Sequence, residues 1–234
     1  MKSVLKKILI FSLALTLLLP FAACKKKPEE PGDNGGNSNP AIKTYTVNSG
    51  SVGESGLLWE ILSDGTMYIR GEGEMPDFEY KSIEDSDLPW TAYLQGNVDN
   101  TLMIQKLVVE EGVTSISEKA FYGCKALTEV VLPKSLTEIG YSAFVNCRKL
   151  TRVGGGIGLL RIEEMAFQGC AALTTFSVSP KLTEIQTGAF SGCGTLTLLV
   201  TGNETEWKAA LEKMIIGEGN SAFTEGKVRF YEVK

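Results

Sequence analysis

Four cysteines recur at one fixed interval. Cys124, Cys147, Cys170 and Cys193 each follow the last by 23 residues, and thiols offer metal ligation, disulfide exchange or nucleophilic attack. Histidine, the usual second ligand or base beside a thiol, is absent from all 234 residues. Mechanisms built on a histidine base, a Ser-His-Asp relay or a histidine-ligated metal are therefore excluded. What remains is carboxylate, lysine or cysteine chemistry, or none.

The company these cysteines keep points away from chemistry. Phe121, Phe144, Phe167 and Phe190 share the 23-residue interval, as do columns beginning at Ala120, Ile116 and Leu127. Self-similarity at such a period is the mark of a repeat architecture. In a stack of repeats the thiols form a column with parallel Cβ vectors, whereas a disulfide needs vectors that converge. The expectation is four buried free thiols acting as small hydrophobes, and no metal.

One unit cannot enclose its own apolar side. Leu127, Val130 and Leu132 follow the L-x-x-L-x-L pattern of a short strand that points alternate side chains inward. Ala143, Phe144 and Cys147 suit a single helical or 3₁₀ turn. Stacked at about 4.8 Å, each column becomes a continuous ladder covered by its neighbours. Ile104 to Val113 supplies half a unit ahead of the first full one. Gly154-Gly155-Gly156 replaces a strand end in the third, which predicts a local bulge or bend.

Carboxylates give weaker signals. Glu72 and Glu74 with Asp77 offer an acid and a base, but no cleft is implied. Glu84, Asp85 and Asp87 do not match an ordered calcium loop. Gly71-Glu72-Gly73 lacks the third glycine of a phosphate-binding turn and follows a hairpin. The reading is non-enzymatic, without a cofactor.

The ends of the chain are different in kind. Residues 1–23 carry Lys2, Lys6 and Lys7, then the apolar run Ile8 to Leu19, then Ala22-Ala23 before Cys24. This is a secretory signal, and the cysteine after it looks like a bacterial lipobox, with Phe21 where leucine is usual. It implies acylation of Cys24 and membrane attachment without a spanning helix. Removing the signal leaves 20 of the 23 basic residues against all 28 acidic ones, a net charge of −8. An acidic chain without a basic stripe argues against nucleic acid. Residues 24–43 hold almost nothing to bury and read as a flexible tether.

An open solenoid needs caps. Leu57 to Leu62 and Thr66 to Arg70 flank Ser63-Asp64-Gly65, a hairpin signal within a β-rich module over 44–103. After the repeats (104–201), a closing segment over 202–234 begins at Asn203 with Glu206, a helix start. Trp207, Ala210, Leu211, Met214 and Ile215 form its apolar stripe, and a last strand runs from Val228 to Val233.

Between the core positions each rung presents an outward column. Lys106, Glu129 and Arg152 alternate in sign across neighbouring strands, which predicts cross-strand pairing. Val108, Val131, Leu198 and Val200 would leave apolar groups in solvent, and contiguous apolar area of that kind marks a binding surface. These seven residues are the binding face that the 23-residue interval assigns.

The unit resembles the BspA-type bacterial leucine-rich repeat, whose A-F-x-x-C-x-x-L core is present here as Ala120-Phe121-Tyr122-Gly123-Cys124-Lys125-Ala126-Leu127. Gly65 to Pro76, Pro89-Trp90 and Val108 to Ile116 are similar to the module that precedes such repeats. Glu206-Trp207 and Gly219 to Phe223 resemble the family's closing segment. The resemblance implies a leucine-rich repeat solenoid with a small β module ahead of it and a helix-strand cap behind. It also implies a lipid-anchored protein on the bacterial surface, outer membrane included, that binds protein or glycan, since some members bind host matrix proteins. The alternative is a structural or accessory subunit of an envelope complex.

Overall fold

The alternation that the repeats share sets the fold, since a period of two buries one side of a strand. The computed structural model describes residues 44–79, 81–82, 87–94 and 103–232. The signal, Cys24, the tether, Glu84 and Asp85 lie outside the described residues. Three strands come first, β1 (Thr46–Ser51), β2 (Leu58–Leu62) and β3 (Thr66–Arg70), then the short helix α1 (Thr91–Leu94). From there longer and two-residue strands alternate: β4 (Lys106–Val109), β5 (Ser115–Ile116), β6 (Glu129–Leu132), β7 (Glu138–Ile139), β8 (Arg152–Gly155), β9 (Arg161–Ile162), β10 (Thr175–Val178), β11 (Glu184–Ile185) and β12 (Thr197–Thr201). Helix α2 (Glu204–Leu211), β13 (Ile215–Ile216), α3 (Ser221–Thr224) and β14 (Lys227–Tyr231) follow.

Among the described residues the longer strands make a nine-stranded sheet in the order β1-β2-β3-β4-β6-β8-β10-β12-β14. The β1-β2-β3 meander is antiparallel and every later pair is parallel. The two-residue strands form a parallel sheet of five, β13-β11-β9-β7-β5. From β4 on, each sheet takes every second strand in sequence, so the chain winds as a solenoid with two sheet walls. This is the leucine-rich repeat fold.

The third wall is not a helix. Lys119, Phe121 and Gly123 donate their amides to Tyr141, Ala143 and Val145 of the next repeat, while Ala120, Tyr122 and Cys124 donate to carbonyls three residues back. The bonds three residues back close single 3₁₀-type turns, as expected, while alternate amides leave the unit, which keeps the turns from continuing as a helix. The turn requires two left-handed residues per repeat: φ is 53° at Lys119, 54° at Ser142, 58° at Met165 and 66° at Gly188, and 67°, 60°, 73° and 74° at Gly123, Asn146, Gly169 and Gly192.

Inside, the phenylalanines stack. Ring centroids of Phe121, Phe144, Phe167 and Phe190 are 5.4, 5.1 and 5.4 Å apart at interplanar angles of 9°, 4° and 7°. All four side chains are fully buried, each burial stabilising by about 1.5–3 kcal/mol. Trp90 extends the column at one end and Phe223 at the other, at 5.6 and 5.5 Å.

Three expectations change. First, the interval shortens by one residue at the last rung: Phe176 lies 23 residues after its partner Val153, but Leu198 only 22 after Phe176. Leu198 and Val200 therefore point inward, 2% and 0% exposed, and are not part of any outward face. Second, the glycine rung is asymmetric. β8 pairs with β6 along its whole length, through Leu132 and Gly155, but with β10 only at Arg152 and Val153. Third, α2 stops at Leu211. Asn203 caps it, Oδ1 accepting from the Glu206 amide at 3.0 Å, and Trp207 is buried. Ile215, placed in the predicted stripe, sits instead in β13 and is 67% exposed, because its amide pairs with the Thr183 carbonyl of the small sheet.

Candidate binding face

On the outward side of the nine-stranded sheet, one column is structural. Thr128, Thr151 and Thr174 each donate both amide and hydroxyl to the carbonyl one rung earlier, the hydroxyls at 2.9, 3.0 and 3.3 Å. Such ladders hold the face rigid.

The neighbouring column carries charge. Lys106 Nζ lies 3.0 Å from Glu129 Oε2, which confirms that pair. Arg152 stands in register with Glu129 yet makes no ion pair among the described residues. Arg152 borders a recess of about 410 Å³ with Gly155, Ser177, Leu199, Arg229, Phe230 and Tyr231. The recess opens beside the point where β8 and β10 cease to pair. Among the described residues no carboxylate lines it, so two arginines, Arg152 and Arg229, border one hollow without a counter-charge in its wall. Val108 and Val131 lie further along the face, half-buried.

The thiols offer nothing to a ligand. Cys147, Cys170 and Cys193 donate Sγ–H to the carbonyls of Phe121, Phe144 and Phe167, at 3.2, 3.1 and 3.2 Å. Each thereby ties its turn to the preceding one. All four periodic cysteines are free. Burial pushes the Cys124 and Cys193 thiols up to about 12 and holds Cys147 well above its ordinary value. Among the described residues no group of three or more Cys, Asp or Glu is arranged to hold a metal ion. At Gly71-Glu72-Gly73 the backbone is already engaged, Gly73 bonding to Gly112 and Thr114.

Residues 98–209 match the BspA type leucine rich repeat region in six copies. The repeats within this stretch are of the BspA leucine-rich type. Among solved structures, a leucine-rich repeat protein from Eubacterium ventriosum is 22% identical over 82% of this chain and 45% of its own, with a TM-score of 0.54. A leucine-rich repeat protein of T. pallidum is 25% identical over 70% of this chain and 63% of its own, with a TM-score of 0.43. For a leucine rich cell surface protein from Faecalibacterium prausnitzii the values are 19%, 81%, 55% and 0.42. The chain thus spans less than two thirds of each of these structures, and the likeness to the first is one of fold. No curated protein matches the sequence.

The shortened spacing between β10 and β12 hides part of the recess from the sequence. Leu199 turns outward because β12 is shifted by one residue against β10, and Arg229 and Tyr231 follow because β14 pairs with β12 in register. Of the predicted face, Lys106, Val108, Glu129, Val131 and Arg152 are on the outward side; Leu198 and Val200 are in the BspA-type core. No helix among the described residues is long and apolar enough to cross a membrane.

Proposed function

We propose that this is a non-enzymatic, lipid-anchored surface protein of the bacterial envelope, held at the outer membrane through acylated Cys24, whose outward sheet face binds a protein or glycan partner. The observation that carries the reading is the Arg152–Arg229 recess. In a chain of net negative charge it is a local reversal of sign, set on backbone that loses little freedom on binding. Ionised, unpaired guanidiniums favour an anionic group, and Leu199 with Tyr231 adds an apolar and an aromatic contact.

The test joins location to binding. Protease treatment of whole cells should release the solenoid, and a protein that resists it is not outside, which removes the surface reading. The purified chain should retain host matrix proteins or acidic glycans. Stoichiometric capture of envelope proteins alone would make it a subunit of an envelope complex instead.

A further inference from the structure

A second hollow, of about 290 Å³, lies against the two-residue strands and not on the outward sheet face. Glu74 and Asp77 reach it from the segment after β3, Glu118 and Glu138 from the first two repeats and Glu163 from the third. Two of these carboxylates are neutralised, Glu118 by Lys119 and Glu138 by Arg161, the latter at 2.8 Å. Glu74, Asp77 and Glu163 make no ion pair among the described residues.

A second observation singles this wall out. Ser117, 5% exposed, lines the hollow, and its hydroxyl is buried without a hydrogen-bond partner. Buried hydroxyls are nearly always satisfied, so an orphan marks a place where something else completes the structure. The carboxyl of Glu163 is held above its ordinary value, by burial first and by the Glu138 carboxylate second, although the Tyr141 amide donates to it at 2.9 Å. Arg161 offsets only part of this effect, since its guanidinium is engaged by Glu138.

We propose that this hollow binds a primary alkylammonium group, that of a partner's lysine side chain or of a free amine. The carboxylates surround the space without converging as metal ligands do, which suits a cation with an organic stem. An ammonium carries three donors that spread in different directions, suited to Glu74, Asp77 and Glu163 on separate segments, whereas a guanidinium holds its five donors in one plane. The site stands independently of the arginine recess, which takes the opposite charge.

Titration calorimetry of the full chain at low salt, with cadaverine, Nα-acetyl-lysine amide and agmatine, tests the proposal. The expected result is one saturable site for at least one of the two ammonium compounds, weaker for agmatine. Affinity should fall about tenfold or more in Glu163→Gln and in Glu74→Gln/Asp77→Asn, an energy of about 1.4 kcal/mol or more, and stay unchanged in Glu212→Gln at the exposed end of α2. Comparable binding of Nα-acetyl-lysine amide and cadaverine assigns the site to a partner's lysine, and binding of cadaverine alone to a free amine. Glu163→Gln retains an oxygen for the Tyr141 amide, so its thermal midpoint should not drop, which separates lost binding from lost folding. No saturable binding, equal affinity in the variants, or tighter agmatine would overturn the proposal.

Discussion

The indole N–H of Trp90 donates to the carbonyl of Ala120 at 3.0 Å, while its ring lies nearly flat on Phe121, at 11°. One rung on, the same acceptor position takes a backbone amide: Phe121 to Ala143, Phe144 to Ala166 and Phe167 to Ala189, at 2.9, 2.7 and 2.7 Å. Trp90 therefore supplies both the ring and the donor of a repeat that is not there. At the far end the roles reverse, and Asn220 Oδ1 accepts from the Phe190 amide at 3.0 Å, with Nδ2 donating to Gln186 and Gly217.

These two side chains should be disproportionately important for stability. Trp90→Phe keeps a ring but strands a buried carbonyl, at a cost of about 1–3 kcal/mol. Asn220→Ala strands the Phe190 amide and the Gly217 carbonyl and leaves Gln186 with the Ala189 amide alone, so it should cost more. Urea unfolding followed by far-UV circular dichroism reads both; a loss under 0.5 kcal/mol for either would show that the cap is replaceable.

Thiol reactivity follows burial. Cys193, the least buried of the four periodic cysteines, should alkylate first in native protein near neutral pH. Cys124 and Cys147 should react only on unfolding, since they are fully buried and closed to the reagent, whereas Cys193 is partly exposed. Peptide mapping after a timed iodoacetamide pulse gives the order, and early modification of Cys147 would contradict the buried column.

Backbone geometry makes a paired prediction of opposite sign. A Cβ at Gly158 would fall 1.9 Å from the Lys134 carbonyl oxygen, so Gly158→Ala should be strongly destabilising, by roughly 3 kcal/mol or more. Met165 holds φ at 58°, a conformation that costs a residue with a side chain about 1–2 kcal/mol. Met165→Gly should therefore raise the thermal midpoint or leave it unchanged, despite the contacts removed.

Glu163 adds a pH dependence whose sign is fixed. Its folded carboxyl binds a proton more tightly than the ordinary value of 4.5 allows, burial being the larger cause and Glu138 the next. Native protein holds more protons than unfolded protein above that value, so this group's contribution to stability falls as pH rises from about 4.5 through the raised value. Glu163→Gln should abolish that fall, seen as a urea midpoint at pH 7, relative to pH 4, that is higher in the variant than in the wild-type chain. An unchanged difference would mean that Glu163 titrates normally.

How far the sequence reveals this molecule is set by the period. The columns of Phe, Cys, Ala, Ile and Leu define the solenoid because every rung repeats one environment. Leu196 keeps the interval, which conceals the deletion that follows it, and a shift of one residue exchanges the inner and outer sides of a strand. The alternation Lys227, Val228, Arg229, Phe230 was the available clue, since it aligns with Thr197 to Val200 only at the shortened spacing. Arg152 misled for another reason. Its register with Glu129 was right, but an exposed arginine on a long stem is free to turn toward open space. The carboxylates around Ser117 come from separate segments whose proximity no local pattern announces.

The binding face is the central claim, and charge reversal tests it most directly. Surface plasmon resonance should compare the wild-type chain with Arg152→Glu/Arg229→Glu on immobilised host matrix proteins and acidic glycans, with Lys208→Glu on the exposed side of α2 as the control. The face account predicts that the double variant loses binding by at least about tenfold while the control retains it. Equal binding by all three proteins would contradict it.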